Sequence, residues 1–308
     1  MKNNFPNIGF AKLCSWFGIT RQAYYQNSWK AIETTIEEEL MLQQVKQIRQ
    51  SHPRLGTRKL YDKLQPFILD NSIKMGRDAL FNLLSTNRLL IRKRKRRIQT
   101  TNSYHWLRKY PNLIKNFVPA APNHLWVSDL TYWKINTQEH LYISFITDAY
   151  SHKIVGYHVA ETLEAIESIQ ALQMALSAFE RTESLLQLTH HSDRGIQYCS
   201  KEYVKLLQDK NIQISMTENG DPLENAIAER VNGIIKEEYL DAYQVNNIKE
   251  AKELLDSVIQ LYNNDRPHLS ISNLTPSQVH HSINPLKTEK LWKNYYQKKQ
   301  TTVNVLQD

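Results

Sequence analysis

Three carboxylates have positions that call for chemistry. Asp129 lies in HLWVSDLTYWKI, a run rich in β-branched and aromatic residues that reads as a buried strand. Asp193 lies in LLQLTHHSDRGIQY, just after a second short apolar stretch, and each aspartate follows a serine, Ser128 or Ser192. Glu229 lies in GDPLENAIAERVNGIIKEEYL, 36 positions beyond Asp193, so 35 residues separate the two. Read as a helix from Leu223, that stretch puts Ile227, Val231, Ile234 and Ile235 on one side. Asn225, Glu229, Asn232 and Lys236 then form a narrow stripe on the other. Such a stripe is by itself an ordinary solvated face; the two upstream aspartates point elsewhere. A charge in or beside a buried strand is costly unless it is paired or binds metal. Three carboxylates brought together repel one another unless a divalent cation sits among them. Oxygen-only ligands suit Mg²⁺ or Mn²⁺ rather than zinc. Two such ions, about 3.5–4 Å apart, are a common device for in-line phosphoryl displacement.

The elements that must position these groups follow from pattern. Leu125–Ile135, Leu141–Thr147 and Lys153–Ala160 read as strands with turns at Asn136–Glu139 and Tyr150–His152. The short connections make the three antiparallel. Leu163–Glu180 is predicted as a helix with Ile166, Ile169, Leu172, Leu176 and Phe179 inward. Leu185–His190 is a fourth strand, Lys201–Gln208 a helix, Ile212–Met216 a fifth strand, and Ile248–Tyr262 a further helix. Strands reached through crossover helices should be parallel. Three antiparallel strands followed by αβαβα is the order of the ribonuclease H-like fold: a five-stranded mixed sheet with flanking helices.

The net charge of +8 conceals a split. Residues 1–120 hold 22 Lys and Arg against 7 Asp and Glu, and residues 121–308 hold 17 against 24, giving +15 and −7. The basic part suggests a polyanionic partner, and salt-sensitive binding would come from it. Phe10–Trp29 reads as two short helices about Phe17-Gly18-Ile19, with Thr20 capping the second. That is the shape of a helix-turn-helix or of a small helical hairpin. Helices follow at Glu33–Gln50, from Thr57 through Leu64, and at Lys74–Leu84, with Arg58 and Lys59 among their cations. Arg92, Lys93, Arg94, Lys95, Arg96 and Arg97 are six consecutive cations, a run that cannot pack and suits phosphate. The chain is expected to divide into an all-α, helix-turn-helix-like region at 1–98, a linker at 99–122, a catalytic core at 123–285 and a tail at 286–308. Cys14 and Cys199 form neither a disulfide framework nor a zinc spacing. No run of about 18 apolar residues reads as a membrane span, and the N-terminus lacks a signal-peptide core. A cytoplasmic, nucleoid-associated protein with no membrane partner is expected.

The ordered set DLTYW, HSDRGIQY and NAIAERVNGIIKEE, with its 35-residue gap, resembles the DDE core of retroviral integrases and bacterial insertion-sequence transposases. YNNDRPHLSISNLTPSQVH is a further hallmark. The likeness is to the second-frame product of the insertion-sequence family encoded in two overlapping frames, and covers nearly the whole chain. Leu223-Glu224 stands where many relatives carry Tyr-Asp. The resemblance implies a transposase that binds terminal inverted repeats, cuts to expose a 3′-OH and joins that end to target DNA. It implies Asp129, Asp193 and Glu229 as catalytic residues and ligands of two Mg²⁺ or Mn²⁺ ions. It further implies Lys236 against the DNA backbone, a homo-oligomer on DNA, and an upstream-frame protein as a second partner.

Two other functions compete: a DNA-binding regulator or inactive copy using only the basic part, and a ribonuclease H-like nuclease that cuts without joining. The three acidic residues weigh against the first and the long basic region against the second. His190 and His191 are either ligands or structural; the oxygen site needs no imidazole, which favours structure. Gly195 reads as a turn residue, no GxxxxGK[ST] motif is present, and Asp148 and Asp221 are expected in solvent-facing turns.

Overall fold

The computed structural model describes residues 8–91, 105–115, 117–135, 140–179, 187–218 and 222–282. The run Arg92–Arg97, Asp221 and the 286–308 tail lie outside the described residues. The chain divides into two compact units, one of Met1–Ser51 and Gly56–Ile91, the other of His52–Leu55 and Arg92–Asp308.

The first unit holds α1 (Phe10–Trp16), α2 (Arg21–Ser51), α3 (Thr57–Asp70) and α4 (Arg77–Thr86). Gly18 turns the chain between α1 and α2 at φ +67°, and Thr20 Oγ1 accepts from the Ala23 N–H at 3.0 Å, the expected cap. The second helix is not short: α2 runs unbroken through 31 residues, because no Gly or Pro interrupts the stretch from Trp29 to Glu33. Thr57 opens α3 rather than capping it, behind Gly56, which makes no side-chain cap bond. That helix passes Leu64 and carries Pro66 inside. Buried Leu60, Leu64 and Ile68 lie on one face across the proline and hold the helix together there. Gly76 likewise delays α4 to Arg77, three residues beyond the expected Lys74. Met41, Val45, Leu60, Leu80 and Leu84 are fully buried.

The second unit is built on a five-stranded sheet in the order β3-β2-β1-β4-β5. Its strands are β1 (Leu125–Lys134), β2 (His140–Asp148), β3 (Ile154–Ala160), β4 (Thr189–Ser192) and β5 (Gln213–Met216). The first three pair antiparallel, and β4 and β5 run parallel to β1. This is the ribonuclease H-like arrangement expected from the order of elements. β4 spans Thr189–Ser192, with buried Leu188 leading into it; the predicted start at Leu185 lies outside the described residues. One face of the sheet is covered by α5 (Ala165–Phe179), α6 (Ile196–Cys199) and α7 (Lys201–Asp209) through Trp126, Ile146, Leu172, Leu176 and Tyr203. Ile166, expected inward, is instead exposed, because the inward face of α5 follows Ile169, Leu172 and Leu176. The other face packs under α8 (Ala226–Ile234) and α9 (Ile248–Asn264), with Phe145, Val231, Ile235, Leu255 and Tyr262 in one core. The last helix is α10 (Pro276–His280), opened by a Thr275–Gln278 capping box.

Each edge of the sheet is clasped at one end of its strand. At β3, the Asn263 carboxamide accepts from the Ile154 N–H and donates to the Ile154 carbonyl, both at 3.0 Å. At β5, Met216 N–H donates to the Pro111 carbonyl and Leu113 N–H to Ser215 Oγ. Residues 105–115, read from sequence as linker, are therefore partly built into this unit, with Ile114 buried. Asp148 is a second correction. It is fully buried, and its carboxylate accepts from the Asn123 N–H at 2.7 Å, the Ser151 N–H at 2.8 Å and the Ser151 hydroxyl. A turn aspartate serves here as the internal acceptor of its own turn, so it does not face solvent.

Gly156 on β3 lets α5 approach closely. A Cβ there would lie 2.2 Å from the Ala171 carbonyl oxygen and 2.9 Å from the Ala175 methyl. Both neighbours are fully buried, so neither can yield without moving the helix. Gly156→Ala is expected to cost about 1–3 kcal/mol by overpacking. A urea midpoint equal to wild type would show that the helix shifts freely.

Candidate active site

The sheet brings the aspartates together by register. Leu125 pairs with Thr189, Trp126 with His190 and Val127 with His191. Carried two residues further, the same offset sets Asp129 beside Asp193, at the point where β4 has ended and the chain turns. In a parallel pair, residues at one register position share a face. Each carboxylate takes a backbone donor close by in its own segment: Asp129 Oδ1 from the Leu130 N–H within β1, and Asp193 Oδ1 from the Gly195 N–H in the turn after β4, both at 2.9 Å. Gly195 is the N-cap of α6, and a Cβ on it would stand 3.0 Å from Asp193 Oδ1. With φ −62° the turn itself would admit other residues, so it is the closeness of that carboxylate that favours glycine here.

Glu229 comes from α8. The approach to that helix is a 3-10 turn, Pro222–Asn225, and the α-helix proper begins at Ala226 rather than Leu223. Its polar stripe is not a solvated face. Asn225 Nδ2 donates to the Ser128 carbonyl at 3.0 Å, and Asn232 Nδ2 to Asp129 Oδ2 at 2.8 Å. Both asparagines are buried; Glu229 between them is exposed. Burial pushes the Asp129 carboxyl well above the ordinary range, and the negative charges of Asp193 and Glu229 push the same way against the Leu130 N–H and the Asn232 amide. All three carboxylates therefore lie within electrostatic reach. Among the described residues, however, no three His, Cys, Asp or Glu side chains converge into a cage for an ion. The pair Asp129 and Asp193 is assembled; Glu229 does not close around it. The donors are oxygens only, and a buried carboxyl burdened by neighbouring negative charge is what a hard divalent cation would relieve, so the residues fit Mg²⁺ or Mn²⁺ in chemistry.

Lys236 keeps to the strand-facing side of the stripe. After Ile234 the helix widens into a π turn, Ile235–Tyr239. The Lys236 Nζ donates to the Tyr132 carbonyl at 2.6 Å and lies 3.7 Å from the centre of the Tyr132 ring, on the same strand that Asn225 and Asn232 reach. The lysine ties the π turn to β1. Lys236→Ala is expected to lower stability by about 1–2 kcal/mol, the size of a partly desolvated cation–π contact with a charged hydrogen bond. An unchanged urea midpoint, with weaker engagement of the oligonucleotide at every salt concentration and a shallower salt dependence, would assign the lysine to DNA instead.

The histidines are structural. His190 Nε2 lies 2.7 Å from Ser128 Oγ and 2.9 Å from Tyr203 Oη, and His191 Nδ1 lies 2.8 Å from Ser215 Oγ. Burial, with His191 alongside, lowers His190 to about 3, and burial lowers His191 to about 4, so both rings are neutral at pH 7. They stitch β1, β4, β5 and α7 beneath the aspartates. Of the helical cations, Arg58 is exposed but Lys59 is only 8% exposed. Lys59 sits one 100° step round α3, on the buried side with Leu60. Sequence reading passed over Asn225 and Asn232 as positioning groups, although their spacing within the Glu229 stripe was the available signal. It also passed over His105, whose Nε2 lies 2.7 Å from the Arg194 carbonyl beside Asp193.

Comparison with known proteins places these features. A model described as Integrase core domain matches residues 119–222, and a second of the same description matches 210–276. The 31 kDa protein of insertion element IS600 from Shigella sonnei is 35% identical over 270 residues, covering 86% of this chain and 96% of that protein. The transposase for insertion sequence element IS629, also from Shigella sonnei, is 27% identical over 279 residues, 88% of this chain and 91% of its own. Among solved structures, the HTLV-2 integrase catalytic core domain in complex with magnesium is similar at 22% identity and a TM-score of 0.42, covering 53% of this chain and 100% of that one.

Proposed function

From the premise that this chain belongs to the insertion-sequence transposases of the retroviral-integrase superfamily, whose work is DNA transposition and integration, we propose that it catalyses metal-dependent cleavage and strand transfer at the ends of its element. The observation that carries this reading is the β1–β4 register that sets Asp129 beside Asp193, with Asn232 of the Glu229 helix bonded to Asp129. A binding protein has no use for paired carboxylates at a strand end.

In this proposal Asp129, Asp193 and Glu229 hold two Mg²⁺ or Mn²⁺ ions. When bound, the cations would stabilise charge on the attacking and leaving oxygens of an in-line displacement. The remaining work falls to the chain. The Leu130 and Gly195 amides orient one oxygen of each aspartate. Asn232 keeps Asp129 from swinging away from α8. Neutral His190 and His191 supply a rigid floor that takes no proton near neutral pH. Glu229, on an exposed face, would complete the ligand set.

The helical region at 1–98 and the core at 123–285 are proposed to divide DNA binding from chemistry. Arg92–Arg97 and Arg58 would meet phosphates, and Lys236 would have to exchange the Tyr132 carbonyl for one. The substrates are proposed to be the element's terminal inverted repeats and target DNA, with an upstream-frame protein as a further partner. Among the described residues no helix is long and apolar enough to cross a membrane; a cytoplasmic, nucleoid-associated protein is proposed. The test is a time course with oligonucleotides carrying the element's own ends and Mg²⁺. Nicks that expose a 3′-OH, followed by joined products, are expected. Nicking without joining would leave the nuclease reading, and binding without either the regulator.

A further inference from the structure

The N-terminal half of α2 carries an apolar stripe that the described residues of its own unit leave largely open, although the Tyr25 ring meets Phe10 of α1 at 5.6 Å between centroids. Tyr25, Trp29, Ile32 and Ile36 are 45%, 67%, 56% and 54% exposed. On the helix they fall within about 60° of arc and about 16 Å of axis. The face that α2 turns into its own unit is different: Met41 and Val45, both fully buried, lie on the opposite side. Four large apolar side chains in one exposed row are more than scattered surface residues.

The spacing of the row indicates what covers it. Successive intervals of four, three and four residues form the a/d seam of a coiled coil. They also read the same in both directions. About a two-fold axis between Lys30 and Ala31, Tyr25 meets Ile36 of a second copy and Trp29 meets Ile32. Charge fixes the sense. Residues 21–32 of α2 carry Arg21 and Lys30 and no carboxylate, whereas Glu33 lies before Ile36 and Glu37, Glu38 and Glu39 follow the row. Arg21 and Glu39 lie on the same flank of the stripe, about 40° to one side of Tyr25. An antiparallel seam pairs like flanks, so it brings Arg21 of one copy to Glu39 of the other, whereas a parallel seam would set each flank against the opposite one.

We propose that this face is an isologous interface between two copies of the chain, an antiparallel pairing of the α2 helices. Closed two-fold contacts of this kind are the commonest route to a dimer. The helix is already formed and anchored by packing inside its unit, so a seam of two heptads does not carry the cost of helix formation that defeats short coiled coils in isolation. Dimerisation needs neither DNA nor metal, and so stands independently of the catalytic reading.

Sedimentation of the full chain without DNA, over a wide concentration range, tests it. A monomer–dimer equilibrium is expected. Trp29→Glu and Ile32→Glu, at the centre of the seam, should each weaken it by roughly tenfold or more. These positions are exposed, so the helical circular dichroism should not change. Arg21→Glu and Glu39→Arg should each weaken the dimer, and the double variant should restore it. The two residues are 18 apart on one helix, about 27 Å, so rescue can only come from the second copy. A chain that stays monomeric overturns the proposal, as does a dimer indifferent to Trp29→Glu. Failure of the charge exchange to rescue overturns the antiparallel register. Stripe variants that leave a monomer unchanged but lose DNA affinity would make nucleic acid the occupant.

Discussion

Asp129→Asn, Asp193→Asn and Glu229→Gln are each expected to lower cleavage and joining of a terminal oligonucleotide by roughly a hundredfold to a thousandfold or more, with duplex binding almost unchanged. Each substitution keeps the shape of the side chain and removes its charge. The variants separate a catalytic role from a supporting one through stability. Asn at 129 can still accept from the Leu130 N–H, and Asn at 193 from the Gly195 N–H. Burial and the charges of Asp193 and Glu229 disfavour the Asp129 anion, so removing that anion should leave stability equal or higher. The sign follows from linkage. A carboxyl raised in the fold binds its proton more tightly there, so stability is greatest below its ordinary value and is lost as pH rises through the folded one. Buried His190 and His191 act the other way as pH falls, so the Asp129 component is read as a difference: relative to Asp129→Asn, wild type should gain stability as pH falls from neutral. Substantial activity in any of the three, with Mg²⁺ as the only metal, would remove that residue from the site. Lost activity accompanied by a collapsed melting transition would mark it as a core support.

The second large effect lies away from the carboxylates. Arg266, of the YNNDRPH hallmark, is fully buried. Its Nε and Nη2 donate to the two oxygens of Glu238 at 2.8 Å each, and Nη1 to the Pro267 carbonyl at 3.3 Å. The fork joins the end of α9 to the π turn that follows α8, and so holds the phase of the helix that carries Glu229. Arg266→Ala would strand the Glu238 charge in a site that is 17% exposed, at an expected cost of about 3–5 kcal/mol. Lysine should not rescue, because a point charge cannot satisfy both carboxylate oxygens. The urea midpoint measures it. A variant that unfolds like wild type but no longer holds DNA would mean that the guanidinium meets phosphate rather than Glu238.

The sequence made much of the sheet legible and little of what locks it. β1, β2 and β3 were readable because each alternates or stays apolar between clear turns. Asp129 and Asp193 stood out because a carboxylate is anomalous in such company. The merging of two expected helices into α2 was missed for want of a breaker to weigh, and the shift of α4 because Gly76 is a stop signal with no side chain to announce it. The π turn left no trace in a pattern read at 100° per residue. Asp148 was misjudged because a turn aspartate is usually solvated, and nothing local signals that Asn123, 25 residues earlier, supplies an N–H. The hallmark around Arg266 was recognisable as a motif, but its work as an internal clasp appears only when Glu238 and Ile154 are brought to it.

The Asn263 clasp on Ile154 bears on how the chain matures. An edge strand with open N–H and C=O groups is a template for any other extended chain. In the finished protein, Asn263 occupies both groups of Ile154, and the segment at 111–113 takes the opposite edge. The two covers arrive at different times. The β5 cover precedes its strand in the chain and is present when β5 emerges. The β3 cover lies 109 residues beyond Ile154. During synthesis, β1, β2 and β3 can form a hairpin sheet long before α9 exists, and its outer rim stays sticky throughout that interval. A ribosome that stalls between β3 and α9 therefore releases a fragment primed to add strands from its neighbours. The last turn of α9 is what ends that hazard.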